Sequence, residues 1–284
     1  MAEARLIEAL PALEAGTDAD LLAQALDNCA RCYRNLLHTA IVFAPLSILS
    51  HFLSHKEDPM SQAITYLSAG TAIRAELFAP AGASRGAAVV AHGSDGLTDH
   101  LAGPWGTMMR EHAEGLAKAG YHTLLPYYFD KTGTPPGRAA LQTMGIHLHE
   151  WQDALGAAVD HVAALSGAGA SRVALVGFSL GGHLSVRLRD RVAVVVEFFA
   201  PYGVGLGTVS HPAPRVQIHH GDNDAAVDVA NADRIADWLG REGVAVDVHR
   251  YAGAGHGFAG PDPANQAARK LSRERAANFV ASYI

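Results

Sequence analysis

Two hydrophobic patterns divide the chain near residue 60. Before that point the apolar positions recur at helical spacing. After it, short continuous apolar runs alternate with amphipathic stretches. In the first segment Thr17-Asp18-Ala19-Asp20 reads as a helix N-cap with acids in the first turn. Leu22, Ala25, Leu26, Cys29, Cys32, Tyr33, Leu36 and Leu37 then continue a single apolar stripe. Residues 36–53, LLHTAIVFAPLSILSHFL, are almost continuously apolar. A membrane span needs about 20 such residues. This run is shorter, Pro45, His38 and His51 interrupt it, and it lies too far along the chain for a signal peptide. Residues 1–59 are therefore expected to form a helical extension rather than a membrane span, packed on the following domain or on a second copy of the chain as a homodimer. Met60 begins MSQAITYLSAG, which also reads as an ordinary protein start, so that 1–59 is alternatively an upstream extension contributing little to the fold.

From about residue 70 strand-like runs fall at 72–79, 87–92, 121–129, 172–177, 192–199, 214–220 and 244–251. Helical stretches fall between or after them at 104–119, 147–166, 180–190, 229–242 and 264–283. Continuous apolar strands separated by amphipathic helices predict a mostly parallel sheet covered by helices on both faces, here a domain over 60–284. No solenoid repeat, P-loop or dinucleotide-binding glycine motif in its strand context is present.

Composition narrows the partners. Of 284 residues 49% are apolar and 18% charged, below the roughly 25% of an average domain. The net charge is −6 and no basic block occurs, which argues against nucleic acid. The two cysteines, Cys29 and Cys32, cannot build a disulfide framework, and their scarcity suits the reducing cytoplasm. Their CxxC spacing lies inside a helical stripe, not at a strand-to-helix turn, so helix-face packing is expected rather than redox or zinc chemistry.

The candidate chemistry begins at Gly177-Phe178-Ser179-Leu180-Gly181, directly between a predicted strand and helix. At such an elbow the central residue is strained and its neighbours two positions away are crowded, which glycines relieve. Ser179 would stand above the sheet beside a helix N-terminus able to stabilise an oxyanion. A serine needs a base to take its proton and an acid to orient that base. In this architecture they follow in the order acid, then histidine. The strand at 214–220 runs into Gly221-Asp222-Asn223-Asp224, and the strand at 244–251 runs into Ala252-Gly253-Ala254-Gly255-His256-Gly257-Phe258. Both loops leave the sheet edge that carries the serine, which selects Asp224 and His256, with Asp222 and Asp228 as competing acids. His219 and His220 lie within a strand and read as core or face residues. The backbone N–H groups of Leu180 and of Ser94, in His92-Gly93-Ser94-Asp95-Gly96, are the candidate oxyanion donors. Phe178 and His92 are candidate substrate contacts.

With these segments assembled, the sequence resembles the dienelactone hydrolase family of the α/β-hydrolases, from about residue 62 to the C-terminus. The resemblance rests on AHGSDGL, AGYHTLLPYYF, Trp151 and Asp153, VGFSLGG, HHGDNDAAV and YAGAGHGF, and on the short gaps from Ser179 to Asp224 and from Asp224 to His256. It implies the α/β-hydrolase fold, a serine-nucleophile variant of the family, and no metal or organic cofactor. The name-giving enzymes carry cysteine at the nucleophile, glutamate where Gly93 stands, and two arginines that hold an anionic lactone. Lys131 and Gly260 occupy those two positions here. The resemblance thus gives Lys131 as a substrate contact, and the lost bidentate clamp predicts that neutral esters outperform dienelactone. The expectation is a serine-dependent carboxylic ester hydrolase acting on a small-molecule ester. The alternatives are an acyltransferase or peptidase on the same three residues, or a non-catalytic binding protein on this fold.

Overall fold

Eight strands form one mixed sheet in the computed structural model, which describes residues 61–97, 104–203, 206 and 213–284. They are β1 Gln62–Ser68, β2 Thr71–Phe78, β3 Gly86–Ala91, β4 Tyr121–Pro126, β5 Val173–Phe178, β6 Val194–Phe198, β7 Arg215–Gly221 and β8 Val246–Tyr251. The helices are α1 Pro104–Lys118, α2 Arg138–Ser166, α3 Leu180–Arg187, α4 Ala230–Arg241 and α5 Pro263–Tyr283. The strand order is β1-β2-β4-β3-β5-β6-β7-β8, parallel from β4 to β8, with β1–β2 and β2–β4 antiparallel. The expectations placed on residues 1–59, including the helical extension, the cysteine pair, the apolar run and the homodimer contact, lie outside the described residues. Among the described residues no helix is long and apolar enough to cross a membrane.

The central strands are apolar on both faces because both faces are covered. Every residue of β3, β5 and β6 is buried. Alternation splits them between two cores. Ala87, Val89, Ala91, Val173 and Leu175 pack with Trp151, Leu155, Leu184 and Ile235 from α2, α3 and α4. Ala88, Val90, Ala174, Val176 and Phe178 pack with Met109, Leu116, Ala268 and Val280 from α1 and α5.

Three departures from the expected elements have local causes. β1 was not predicted, because as an outer strand it buries only some of its positions and carries no continuous apolar run. It is held by a two-residue hairpin whose Ala69 and Gly70 both have positive φ, as this tight connection requires. β4 stops at Pro126, which has no N–H to continue a ladder, and Tyr128–Lys131 coils into a 3-10 turn. α2 begins at Arg138 instead of 147. Its first turns carry the exposed Leu141, Gly145 and Ile146, which break the apolar stripe.

Candidate active site

The elbow at Ser179 is built by backbone crowding. A methyl group at Gly177 would collide with the Gly181 carbonyl and the Ser185 hydroxyl, and one at Gly181 would collide with the Ala91 and His92 carbonyls. Ser179 itself has φ 52° and ψ −114°, a conformation costly for a non-glycine residue, and its N–H is tied to the Phe198 carbonyl at 2.9 Å. The strain turns its side chain out at the carboxyl end of β5, immediately before the first turn of α3.

Two other loops at the same sheet edge reach this hydroxyl. His256 Nε2 lies 3.2 Å from Ser179 Oγ, and its Nδ1 lies 2.7 Å from Asp224 Oδ2. A carboxylate only accepts, so Nδ1 carries the proton and the Nε2 lone pair faces the serine. Asp224 is oriented in turn: its Oδ1 accepts the N–H groups of Ala226 and Val227, both at 2.8 Å. Burial alone would raise this carboxyl. The hydrogen bonds from His220 and His256 and from the Val227 N–H outweigh it and hold the group below the usual carboxylate range. Asp224 therefore stays ionised.

The competing acids are engaged elsewhere. Asp222 Oδ1 accepts the Gly253 N–H at 2.6 Å, and Asp228 Oδ1 accepts the Ala230 N–H at 2.8 Å at the start of α4. His219 is fully buried between Tyr251 Oη and Gln217 Oε1, each at 2.8 Å. His220, expected to be an ordinary strand residue, instead touches Asp224 Oδ2 at 3.3 Å with its side chain fully buried.

A small cleft opens over Ser179. Gly93, Ser94, Asp95 and Gly96 form one wall and Trp105, Met109, Phe178, Phe199 and His256 the rest. Ser94 lines the cleft together with Ser179, and Leu180 is the first residue of α3, whose N–H has no carbonyl one turn behind it in the helix. Phe178 lines the cleft from a fully buried position. Two expected substrate contacts do not line it. His92 is buried beneath the loop: it stacks on Tyr128 with centroids 3.9 Å apart, and its Nδ1–H donates to the Gly93 carbonyl at 2.7 Å. That carbonyl and the Ser94 N–H share one peptide plane, so the His92 hydrogen bond fixes the direction of the Ser94 N–H. Burial pushes this imidazole down to about 4, which keeps it neutral. Lys131 is turned away, its ammonium donating to the Ser68 carbonyl at 2.7 Å and the Thr71 hydroxyl at 3.3 Å in the β1–β2 hairpin. Gly260 has φ 111°, a backbone that disfavours arginine as it does any side chain.

Trp105, Met109 and Phe199 were not identified from sequence. Phe199 follows β6 at the same sheet edge as the other loops, which is the signal that could have found it; its ring meets His256 edge-on at 4.7 Å. Trp105 opens α1 and is placed by a long-range approach to Gly257, which no local pattern encodes.

This sheet order, with the elbow after β5 and the two partner loops after β7 and β8, defines an α/β-hydrolase. The sequence profile of the dienelactone hydrolase family matches residues 73–284, and the chain belongs to that family. Solved structures share the fold. A dienelactone hydrolase-like promiscuous phosphotriesterase from metagenomic libraries is 21% identical with a TM-score of 0.63, over 79% of this chain and 98% of that one. The dienelactone hydrolase of Anabaena variabilis is 19% identical with a TM-score of 0.63, over 80% and 100%. A thermophilic esterase from Thermogutta terrifontis is 16% identical with a TM-score of 0.61, over 80% and 93%. No curated protein sequence matches the chain significantly. The protein is a hydrolase.

Proposed function

We propose that this hydrolase cleaves neutral carboxylic esters through a covalent acyl-enzyme formed on Ser179. The observation that carries the reading is the unbroken contact chain from Ser179 Oγ through His256 to Asp224, at 3.2 and 2.7 Å. Ser179 Oγ attacks the ester carbonyl as its proton passes to His256 Nε2. Asp224 stabilises the resulting imidazolium without taking its proton. The N–H groups of Ser94 and Leu180 receive the charge on the carbonyl oxygen, a contribution typically worth about 10²–10³ in rate per donor. Collapse of the tetrahedral species expels the alkoxide, which leaves with the Nε2 proton. A water then gives a proton to Nε2 as its oxygen attacks the acyl carbon, and Ser179 Oγ departs with that proton.

The neutral-ester preference rests on the lining of the cleft. Among the described residues around it none is cationic, and Asp95 adds a carboxylate. An anionic substrate would lack a partner there. The test is an ester panel of increasing acyl length, with dienelactone included, run on wild type and Ser179→Ala together with fluorophosphonate labelling. Labelling at Ser179 and loss of hydrolysis in Ser179→Ala are expected. Retained activity in that variant, or faster turnover of dienelactone than of aryl acetates, refutes the proposal.

A further inference from the structure

Behind Asp224 lie two buried ionisable groups that the mechanism above leaves unused. His220, at the end of β7, places Nε2 2.9 Å from the Val227 carbonyl and 3.3 Å from Asp224 Oδ2. A carbonyl cannot donate, so Nε2 carries a proton, and that proton is shared with the same carboxylate oxygen that receives His256. The other ring nitrogen, Nδ1, is buried with no hydrogen-bond partner among the described residues. Glu197, at the end of β6, is fully buried. Its Oε2 accepts the Ala200 N–H at 2.9 Å, and its Oε1 is likewise buried and unpartnered. The flanking residues touch the site directly: the Phe198 carbonyl holds the Ser179 N–H, and Phe199 packs on His256.

Resting on the serine-hydrolase reading, we infer that His220 is a positioning residue: its Nε2–H holds Asp224 Oδ2 in place for His256, and the Glu197 carboxyl sets whether His220 carries one proton or two. The titratable groups facing His220 are Asp224, from the β7–α4 loop, and Glu197, from β6; His256 lies beyond Asp224. The electrostatics agree. Burial alone would lower the His220 imidazole, but the hydrogen bonds to Asp224 and Val227 and the charge of Glu197 raise it. Burial pushes Glu197 up to about 7, against the Ala200 N–H and the charge of His220. β6 and β7 pair in parallel with Glu197 opposite Ile218, so Glu197 and His220 stand on one face of the sheet two positions apart, and the charge on either group acts on the other.

The experiment compares His220→Gln, which keeps an N–H donor at similar reach, with His220→Met, which keeps the length and loses the donor. Ester kinetics and the rate of fluorophosphonate labelling are measured on both, beside wild type and Ser179→Ala. His220→Met is expected to lose roughly 10–100-fold in kcat and in labelling rate, the scale of one charge-assisted hydrogen bond, with KM within about twofold. His220→Gln is expected to recover most of that loss. Equal losses in the two variants, or no loss in His220→Met, overturn the role of His220. Glu197→Gln keeps an acceptor for Ala200 and serves where His220→Met does not fold. Its kcat–pH profile is expected to lose an inflection near neutrality that wild type shows, and superimposable profiles overturn the role of Glu197. Wild type that neither labels at Ser179 nor hydrolyses esters overturns the serine reading and this inference with it. Normal Ser179 chemistry with unaffected His220 and Glu197 variants overturns the inference alone.

Discussion

Replacing Asp224 by asparagine tests the orientation of the base with almost no change of shape. The two backbone N–H groups of Ala226 and Val227, each at 2.8 Å from Oδ1, must still find an acceptor, so the amide oxygen stays on their side. The amide NH₂ then occupies the Oδ2 position, 2.7 Å from His256 Nδ1. As a donor it demands a lone pair on Nδ1, which moves the imidazole proton to Nε2, facing Ser179. This orientation also sets NH₂ against the His220 Nε2–H at 3.3 Å, but the reverse one would set it against two N–H groups at 2.8 Å and is worse. To react, the variant must regain the productive tautomer against a donor–donor contact, costing about 1–3 kcal/mol, and without a charge-assisted bond worth about 1.5–3 kcal/mol. The sum corresponds to roughly 10²–10⁴ in kcat. Steady-state hydrolysis of an aryl ester at a pH above the histidine range measures it, with KM expected to change little. Asp222→Asn and Asp228→Asn, which keep an oxygen acceptor for Gly253 and Ala230, are expected to retain wild-type rates. An Asp224→Asn variant keeping more than about a tenth of kcat would refute the assigned geometry, as would either control behaving like it.

Gly177→Ala is expected to destabilise the fold by about 1–3 kcal/mol and abolish activity, because its methyl would meet the Gly181 carbonyl and Ser185. Gly145→Ala, on an exposed face of α2 with nothing near the added carbon, should instead gain about 0.5–1 kcal/mol; urea midpoints read both. Lys131→Met should leave ester KM unchanged and weaken the β1–β2 hairpin, and a KM rise would return Lys131 to the cleft. Burial holds His92 down to about 4 and His112 down to about 3, and His219 well below its ordinary value. Above the unfolded imidazole value of about 6.5 both states are neutral and this stability is complete. As pH falls below it, the unfolded chain binds protons that the folded one refuses, and stability is lost. Glu197, raised to about 7, takes up a proton on the folded side and offsets one histidine down to about pH 4.5. For these four groups the net reaches about 2.7 kcal/mol per pH unit between pH 6 and 5, the lowered His122, His183 and His249 act in the same direction, and a flat urea midpoint over that range would refute it.

What could be read from sequence was what neighbours in the chain decide. The runs AAVVA and VALVG are apolar at every position because both sheet faces are covered, so their strands and the intervening helices were legible. The elbow was legible for a related reason, since Gly177 and Gly181 answer crowding created within a few residues of Ser179. Asp224 is favoured over Asp222 and Asp228 in the sequence by its distance past the strand, while the contacts that engage the other two carboxylates elsewhere appear only in the folded loop. The place of Lys131 is not encoded near it in the chain, since a long flexible side chain points wherever a distant acceptor lies, here the Ser68 carbonyl of a hairpin whose first strand has no continuous apolar run. His220 was passed over because its strand position suggests packing, while its function depends on an oxygen four residues on.

The departures from the name-giving relatives share one physical direction. A side chain at Gly93 would begin 3.3 Å from Ser179 Cβ, so a glutamate there would bring an acidic side chain into the immediate surroundings of the nucleophile. For a serine, whose proton must go to His256, that carboxylate would compete as acceptor and repel the developing charge. The two arginine positions are vacated as well: Lys131 is committed to the hairpin, and the φ of Gly260 disfavours any side chain. Each change takes a charged side chain away from the nucleophile, leaving Asp95 as the one carboxylate lining the cleft among the described residues, with Asp224 shielded behind His256. Under the proposed mechanism such a site is poorly matched to a charged ground state and well matched to a substrate that is neutral on binding and anionic only in the transition state, and that difference is what the ester panel tests.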